Sequence, residues 1–407
     1  MIILAIETSC DDTGVAILEV SKTGDFKVLS NIVSSQIEIH KKYGGVYPML
    51  AKREHQKNLV SALEKALEKA GLLNQNPKIK TQNENSKFKI INEILKREPG
   101  LYKKLISFLK KYENPNTCPE PSRRIDLISV TQGPGLEPCL WVGINFAKAL
   151  SFFWDIPIIP VNHIESHILV NFLNQHPIRF PAVCLVVSGG HTQLILMKKP
   201  FDLTQGKLGS YKILGETRDD AAGECFDKCA KILGLGYPGG PIISELAGGR
   251  RASAKLPRPM INTKDFDFSF SGLKTAVLYH HRKQPVKIQK SKEYIIEMCA
   301  EIQQAIIDVL IKKTIKASKD YKAKTIILGG GVSANSELRL QFQSAVTRHC
   351  EEGKTRRSNL SLIFPPTNLS TDNALMTAIA GYFHRNKKIA RSDFAKLKAE
   401  SNLRIDK

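Results

Sequence analysis

Acidic residues are scarce in this chain. Against 60 Lys and Arg stand only 39 Asp and Glu, so its 407 residues carry a formal net charge of +21. Such a surface is poorly suited to cationic partners and well suited to a polyanion: RNA, DNA or an anionic membrane. Cysteine is sparse too. The eight thiols, at 10, 118, 139, 184, 225, 229, 299 and 350, form no CxxC pair and no regular framework. That excludes a disulfide scaffold, and they read as reduced intracellular thiols. Cys225 and Cys229, four apart on an expected helix, read as buried thiols rather than ligands. No apolar run reaches the roughly 18 residues of a membrane span. The opening MIILAIETSC lacks the basic segment of a signal peptide. A soluble, cytoplasmic protein without membrane contact is expected.

What is present is globular: 42% apolar and 24% charged residues, enough for two or three domains. MIILAIETSCDDTGVAILEV and PAVCLVVSGGHTQLILMKK, from Pro181, share one grammar of apolar run, tight polar turn and apolar return. A third run from Lys324, KTIILGGGVSANSELRLQF, reads strand, glycine loop, helix. Two similar units about 180 residues apart imply either a duplicated domain with facing turns or two unrelated hairpins. Helical patterns at Lys52–Leu73, Leu140–Trp154, Met298–Ile315 and Asn373–His384 alternate with strands at Ile125–Thr131 and Leu360–Phe364. The class is therefore α/β. Asn74–Arg124 stands apart as an insertion, with twelve basic and five acidic residues around a helical INEILKREPGLYKKLISFLKKY. A second polar break covers Cys350–Asn359, and the tail after Tyr382 is basic.

The chemistry-bearing motifs are dispersed. His163-Ile-Glu-Ser-His167 places two imidazoles on one helical face with a gap that a metal can bridge. Glu165 points off that face, so it cannot be the base of an HExxH protease. A third ligand is available in Asp372, although Ser370-Thr371-Asp372 equally resembles a helix N-cap. Two histidines and one carboxylate leave open coordination positions, which suits a catalytic rather than a structural ion. Glycines in Val187-Ser188-Gly189-Gly190-His191 and in Gly329-Gly330-Gly331 admit backbone N–H groups to an anion. No Walker A loop is present, and no GxGxxG follows the first strand. Asp227 is placed to hold ribose hydroxyls and Gly240 to lie against a sugar or base. Those two equally fit a helix with an acidic first turn followed by a breaker loop.

In order, IETSCDDTGVAI, GGVYPMLAKREH, TQGPGL, NHIESH, LVVSGGHTQL, DDAAGECFDK, GLGYPGGP, FSFSGLKTAV, GGGVSANSELR and STDNALM resemble the TsaD family, the tRNA threonylcarbamoyladenosine synthesis proteins formerly called glycoproteases. The resemblance implies an actin-like, Hsp70-type ATPase fold: two duplicated lobes, 1–175 and 176–370, flank a ligand cleft. The segment 371–407 then packs back on the first lobe. It implies threonylcarbamoyl transfer from threonylcarbamoyl-AMP to N6 of the adenosine beside the anticodon, in tRNAs reading A-starting codons. The family's ligands fall on His163, His167 and Asp372, for one divalent metal, iron or zinc, with iron favoured. Its substrate-binding positions fall on Val186, Val187, Ser188, Gly189, Gly190, Asp227, Gly240 and Asn335. tRNA and the bacterial-type proteins TsaB and TsaE are the implied partners. Asp11 is the nominee for removing the amine proton. The chain departs from the pattern in its insertion, in the Cys350–Asn359 break, and in Pro138-Cys139 where most members carry Gly-Ser. Two other functions remain open: a tRNA- and nucleotide-binding scaffold without chemistry of its own, and a metallopeptidase.

Overall fold

The computed structural model describes residues 1–73, 84–112, 124–174, 178–198, 209–250, 255–352 and 360–406, with the side chains of 84, 174 and 350–352 left aside. Among the described residues, ten strands form two sheets. The first contains β1 (Ile2–Glu7), β2 (Asp12–Val20), β3 (Phe26–Ser35), β4 (Ile125–Gly133) and β5 (Ile158–Asn162), in the order β3-β2-β1-β4-β5. The second contains β6 (Ala182–Val187), β7 (Thr192–Met197), β8 (Tyr211–Glu216), β9 (Thr325–Gly329) and β10 (Ser361–Ile363), in the order β8-β7-β6-β9-β10. In each, the first three strands in sequence pair antiparallel and the last two join in parallel. One topology therefore occurs twice, and the two hairpins are related halves of an α/β, actin-like fold.

Both central strands are buried along their whole length, because helices cover both faces of each sheet. On the first sheet, helices Pro48–Lys69 and Glu137–Trp154 cover one face and helix Ala374–Phe383 the other. On the second, helices Ala222–Ile232, Ser271–Lys283 and Lys292–Asp320 form the outer layer. The short helix His163–Leu169 is wedged between the sheets. Its Ile164 and Ile168 pack against Cys184, Val186 and Ile327, while Leu169 packs against Ile3, Ala5 and Leu127. Close approach of helix to sheet requires glycine at 381, where a Cβ would meet Ser129 Oγ at 2.5 Å.

The tail bridges both halves. The Glu400 backbone N–H bonds Gln132 O at 3.0 Å, whereas Ile405 joins the second sheet's apolar cluster and Arg404 pairs with Glu216 at 3.1 Å. Cys225 and Cys229 are buried with their sulfurs 3.9 Å apart, as expected of packed thiols. No helix among the described residues is long and apolar enough to cross a membrane.

The insertion is a helical hairpin, Glu84–Ile94 and Pro99–Lys111, and it is integral to the core rather than an appendage. Ile91, Leu95, Leu101, Leu105 and Leu109 are buried with the helices Pro48–Lys69 and Glu137–Trp154, and Phe88 stacks on Phe153 at 5.8 Å. Its charge is confined to the outer face, where Lys89, Lys96, Arg97 and Lys103 are exposed. The polar ends of the insertion, 74–83 and 113–123, lie outside the described residues, as does most of the Cys350–Asn359 break. Leu105→Ala is expected to lower unfolding stability by about 2–5 kcal/mol, the cost of a core cavity. Chemical denaturation checks this, and a loss below about 0.5 kcal/mol, typical of surface sites, would make the hairpin peripheral.

Candidate metal centre

Among the described residues, two of the crossings between the halves deliver site residues. At the first, β5 ends at Asn162, whose Oδ1 accepts from the Ile164 and Glu165 backbone N–H groups at 2.9 and 3.1 Å. That cap starts the helix at His163 and sets His163 and His167 one turn apart, ring centroids 4.8 Å from each other. At the second crossing the helix cap is Asn373, whose Oδ1 accepts from Met376 N at 3.2 Å. The N-cap alternative for Asp372 is thereby excluded. Relieved of capping, its carboxylate faces the imidazoles, with Oδ1 3.1 Å from His167 Nε2 and 3.6 Å from His163 Nε2.

The donor atoms of His163, His167 and Asp372 lie within 4.8 Å of one another. An ion about 2.0–2.2 Å from each donor would separate the donors by roughly 3–3.6 Å; Asp372 Oδ1 meets that spacing to both imidazoles, and the 4.8 Å span of the set closes onto one ion with a small side-chain shift. Behind His163 stands a brace that was not anticipated from the sequence. Its Nδ1 lies 3.1 Å from Ser9 Oγ and 3.4 Å from Glu7 Oε2. Glu7 in turn accepts from Ser9 N at 2.7 Å, Thr131 Oγ1 at 2.5 Å and Thr377 Oγ1 at 3.1 Å. Glu7 is fully buried at the end of β1. A carboxylate closing an otherwise apolar central strand was the one available hint. His167 Nδ1 has no hydrogen-bond partner among the described residues.

Electrostatics follow from this packing. Burial alone would lower the basicity of His163, but Asp372 and Glu7 raise its pKa to about 9. Burial opposes ionisation of Asp372, yet His163 and His167 hold it well below the usual carboxylate range. Glu7 is likewise lowered, burial being outweighed by His163. Asp11 is pushed up by burial and then by Asp372, and neighbouring Asp12 rises to about 7 by burial, Asp11 and Asp372. The four carboxylates make a field that attracts cations. His191 completes the surroundings, its ring 6.4 Å from His163 and its pKa lowered to about 4 by burial, then by His163 and His167. Both hairpin turns thus reach His163, one through Ser9 and the other through His191.

The remaining expected positions divide into two groups. Gly189 and Gly190 border open space, and beyond Gly240 only Phe226 Cβ lies near, at 3.9 Å. Ser188 closes the turn, its backbone N–H bonding His191 O at 2.8 Å, and Val186 and Val187 are buried strand residues. Asp227 accepts from Gly239 N at 2.7 Å and is pushed up to about 6 by burial. Asn335 is committed to structure: its Oδ1 caps Leu338 N at 2.9 Å and its Nδ2 bonds Gln303 at 2.8 Å. Gly330, with φ of 84°, is a packing glycine as well, since a Cβ there would meet Val187 O at 2.3 Å. Glu165 turns from the cluster to bond His384 Nε2 at 2.6 Å.

The family model described as TsaD, tRNA N6-adenosine threonylcarbamoyltransferase, matches residues 27–78 and 120–379. Proteins of that name include one from Thermosipho africanus, 41% identical over 406 residues, 100% of both chains. Another from Persephonella marina is 40% identical over 410 residues, 100% of this chain and 96% of its own. A third from Bacillus subtilis is 40% identical over 384 residues, 94% and 90% of the two chains.

Glu7→Gln is expected to weaken divalent-metal affinity about 10- to 100-fold, as removal of a ligand's carboxylate brace does. Glu165→Gln should leave it unchanged. Chelator competition measures both, and equal affinities for Glu7→Gln and the parent protein would deny the brace its role.

Proposed function

The chain belongs to the TsaD family of tRNA N6-adenosine threonylcarbamoyltransferases, and from that membership we propose that it moves the threonylcarbamoyl group of threonylcarbamoyl-AMP onto N6 of the adenosine beside the anticodon. The tRNAs concerned are those reading codons that begin with A. The observation that carries the proposal is the convergence of two imidazoles and one carboxylate from two inter-lobe crossings, beside a glycine turn open to the cleft.

His163, His167 and Asp372 would hold the metal. A donor set of two histidines and one carboxylate suits iron, with zinc the alternative. A metal with open positions supplies Lewis acidity that polarises the carbamate carbonyl. The protein's own part is orientation and proton management. Glu7 and Ser9 fix the His163 ring so that Nε2 faces the cluster. Backbone N–H groups at Gly189 and Gly190 are accessible to the adenylate phosphate, the leaving group whose charge must be held. Asp227 and Gly240, the first tied to Gly239 N and the second with space before it, would serve the ribose. Asp11, its carboxylate raised toward neutrality by burial, takes the proton from the N6 amine, because a base with a raised pKa is better matched to that transfer. The positive surface grips tRNA phosphates in a salt-dependent way. TsaB and TsaE are the partner proteins of this reading.

The metallopeptidase alternative fails on geometry. Its required base is Glu165, and that carboxylate is bound to His384 on the far side of the helix.

Reconstitution tests the proposal: protein, threonylcarbamoyl-AMP, tRNA, TsaB and TsaE, with modified nucleoside as readout. His163→Ala should abolish product and metal together. Asp11→Asn should lower turnover about 10²- to 10⁴-fold while metal content is retained. Product that survives loss of both histidines would reject the metal role, and no product with any partner combination would favour the scaffold.

A further inference from the structure

Large exposed apolar side chains are few among the described residues, yet Tyr43, Tyr47 and Met49 fall within seven positions, 61%, 59% and 51% exposed. They lie on the loop 41–47 and the first turn of helix Pro48–Lys69, with Lys41, Lys42 and Arg53 exposed beside them. The tyrosine rings stand 6.1 Å apart and tilted by 33°, so neither covers the other's face. An exposed aromatic pair on a floppy loop would be unremarked surface, but this loop is anchored from below.

Three buried polar side chains form that anchor. The Tyr47 backbone N–H donates to His40 Nδ1 at 3.3 Å, which leaves Nε2 to donate to Gln36 Oε1 at 3.2 Å. Gln36 Nε2 then donates toward His55 Nδ1 at 3.4 Å and Ala51 O at 3.5 Å. His55 Nε2 donates to the Cys10 carbonyl at 2.9 Å, and its one Nδ1 lone pair is shared between Thr13 Oγ1 at 2.7 Å and the longer Gln36 contact. Every donor in this relay has an acceptor, and its polarity runs one way, from the loop to the Cys10–Asp11 turn. The Tyr47 N–H donated to His40 Nδ1 requires a neutral ring there, and burial lowers the pKa of His40 and brings that of His55 to about 4. Fixed tautomers therefore hold the aromatic loop in register with the turn that carries Asp11. On its other side the loop approaches the second lobe, where a Cβ at Gly44 would sit 3.8 Å from Lys231 Nζ.

We propose that Tyr43 and Tyr47 form a stacking platform for unpaired bases of the RNA loop, with Lys41 and Lys42 on the adjoining phosphates. The chemistry fits single-stranded RNA specifically. Splayed loop bases stack on exposed aromatic faces, which a duplex cannot offer, and cations beside the rings track the backbone. The relay then acts as a spacer, setting the distance between the stacked bases and the nucleotide in the cleft. This inference rests on the tRNA reading above.

The test uses the full chain and two RNAs. One is a hairpin whose single-stranded loop carries an adenosine 3′ of the anticodon triplet, and the other is a blunt duplex of equal length. Tyr43→Ala and Tyr47→Ala should each weaken hairpin binding about 5- to 150-fold, leave duplex binding and metal content unchanged, and leave the salt slope intact. Tyr→Trp at either position should restore affinity. Lys41→Gln with Lys42→Gln should instead flatten the slope of log affinity against log salt by about 1.4. Hairpin affinity unaffected by both alanine variants overturns the platform while the parent protein's hairpin preference upholds the tRNA reading. A parent protein with no preference for the hairpin overturns both. Alanine variants that bind hairpin normally but lose association with TsaB or TsaE would make the patch a protein-docking surface and likewise reject the platform.

Discussion

One buried electrostatic arrangement governs the architecture: Glu7, His163 and Asp372, an imidazole between two carboxylates at the seam of two lobes. Removing charges from water costs several kcal/mol per ion, and an apolar trio would pack there more cheaply. The surroundings show how the charges are tolerated. Thr131, Thr377 and the Ser9 backbone satisfy Glu7, and Asp372 reaches both histidines. Removing His163 leaves Glu7 without the ring it shares with Asp372, which is the costly case. The arrangement also ties together β1, β4, the His163 helix and the Ala374 helix, so the seam is specified by polar geometry as well as by apolar packing.

The seam explains why the glycines fall where they do. A Cβ at Gly14 would meet the Ala374 backbone N at 2.8 Å, and one at Gly329 would meet His167 O at 2.7 Å. Both positions let a crossing segment lie against a strand end. The signal that suggested an anion cradle at Gly329–Gly331 therefore has a mainly structural cause, whereas Gly189 and Gly190 face open space. Glycine-rich sequence alone does not separate close packing from ligand approach, because both demand the absence of a side chain.

Much of this was legible in the chain. The apolar runs of β1, β6 and β9 stood out because strands buried on both faces lose the polar alternation that obscures others. β3 and β8 escaped notice for the complementary reason: FKVLSNIVSS and YKILGE mix exposed and half-buried residues at sheet edges. Hence the hairpins were visible while the five-stranded topology that proves duplication was not. His163 and His167 announced themselves by helical spacing. The choice between Asp372 and Asn373 as cap depended on one residue of register, which local pattern leaves undetermined. Glu7, more than 150 positions before its partner, could be paired only by the fold.

The insertion shows how composition can mislead when geometry is absent. Its excess positive charge and polar ends set it apart as an insertion, and the family model indeed leaves 79–119 unmatched. Yet its apolar stripe is continuous with the first lobe's core, and buried Glu98 bonds Asn145 at 3.2 Å and lies 3.9 Å from Lys52. Deleting the hairpin would expose that core and the partners of Glu98, so any loss of RNA affinity would confound unfolding with lost charge. Neutralising Lys89, Lys96, Arg97 and Lys103 separates the two effects, because their side chains project from the outer face and core packing is untouched. An arm that grips phosphates contributes to the salt slope in proportion to the contacts it makes, whereas a solvated face contributes nothing. A hairpin that covers helices of the core and carries its charge outward has a sufficient structural reason to exist, and RNA contact would be an addition to that role.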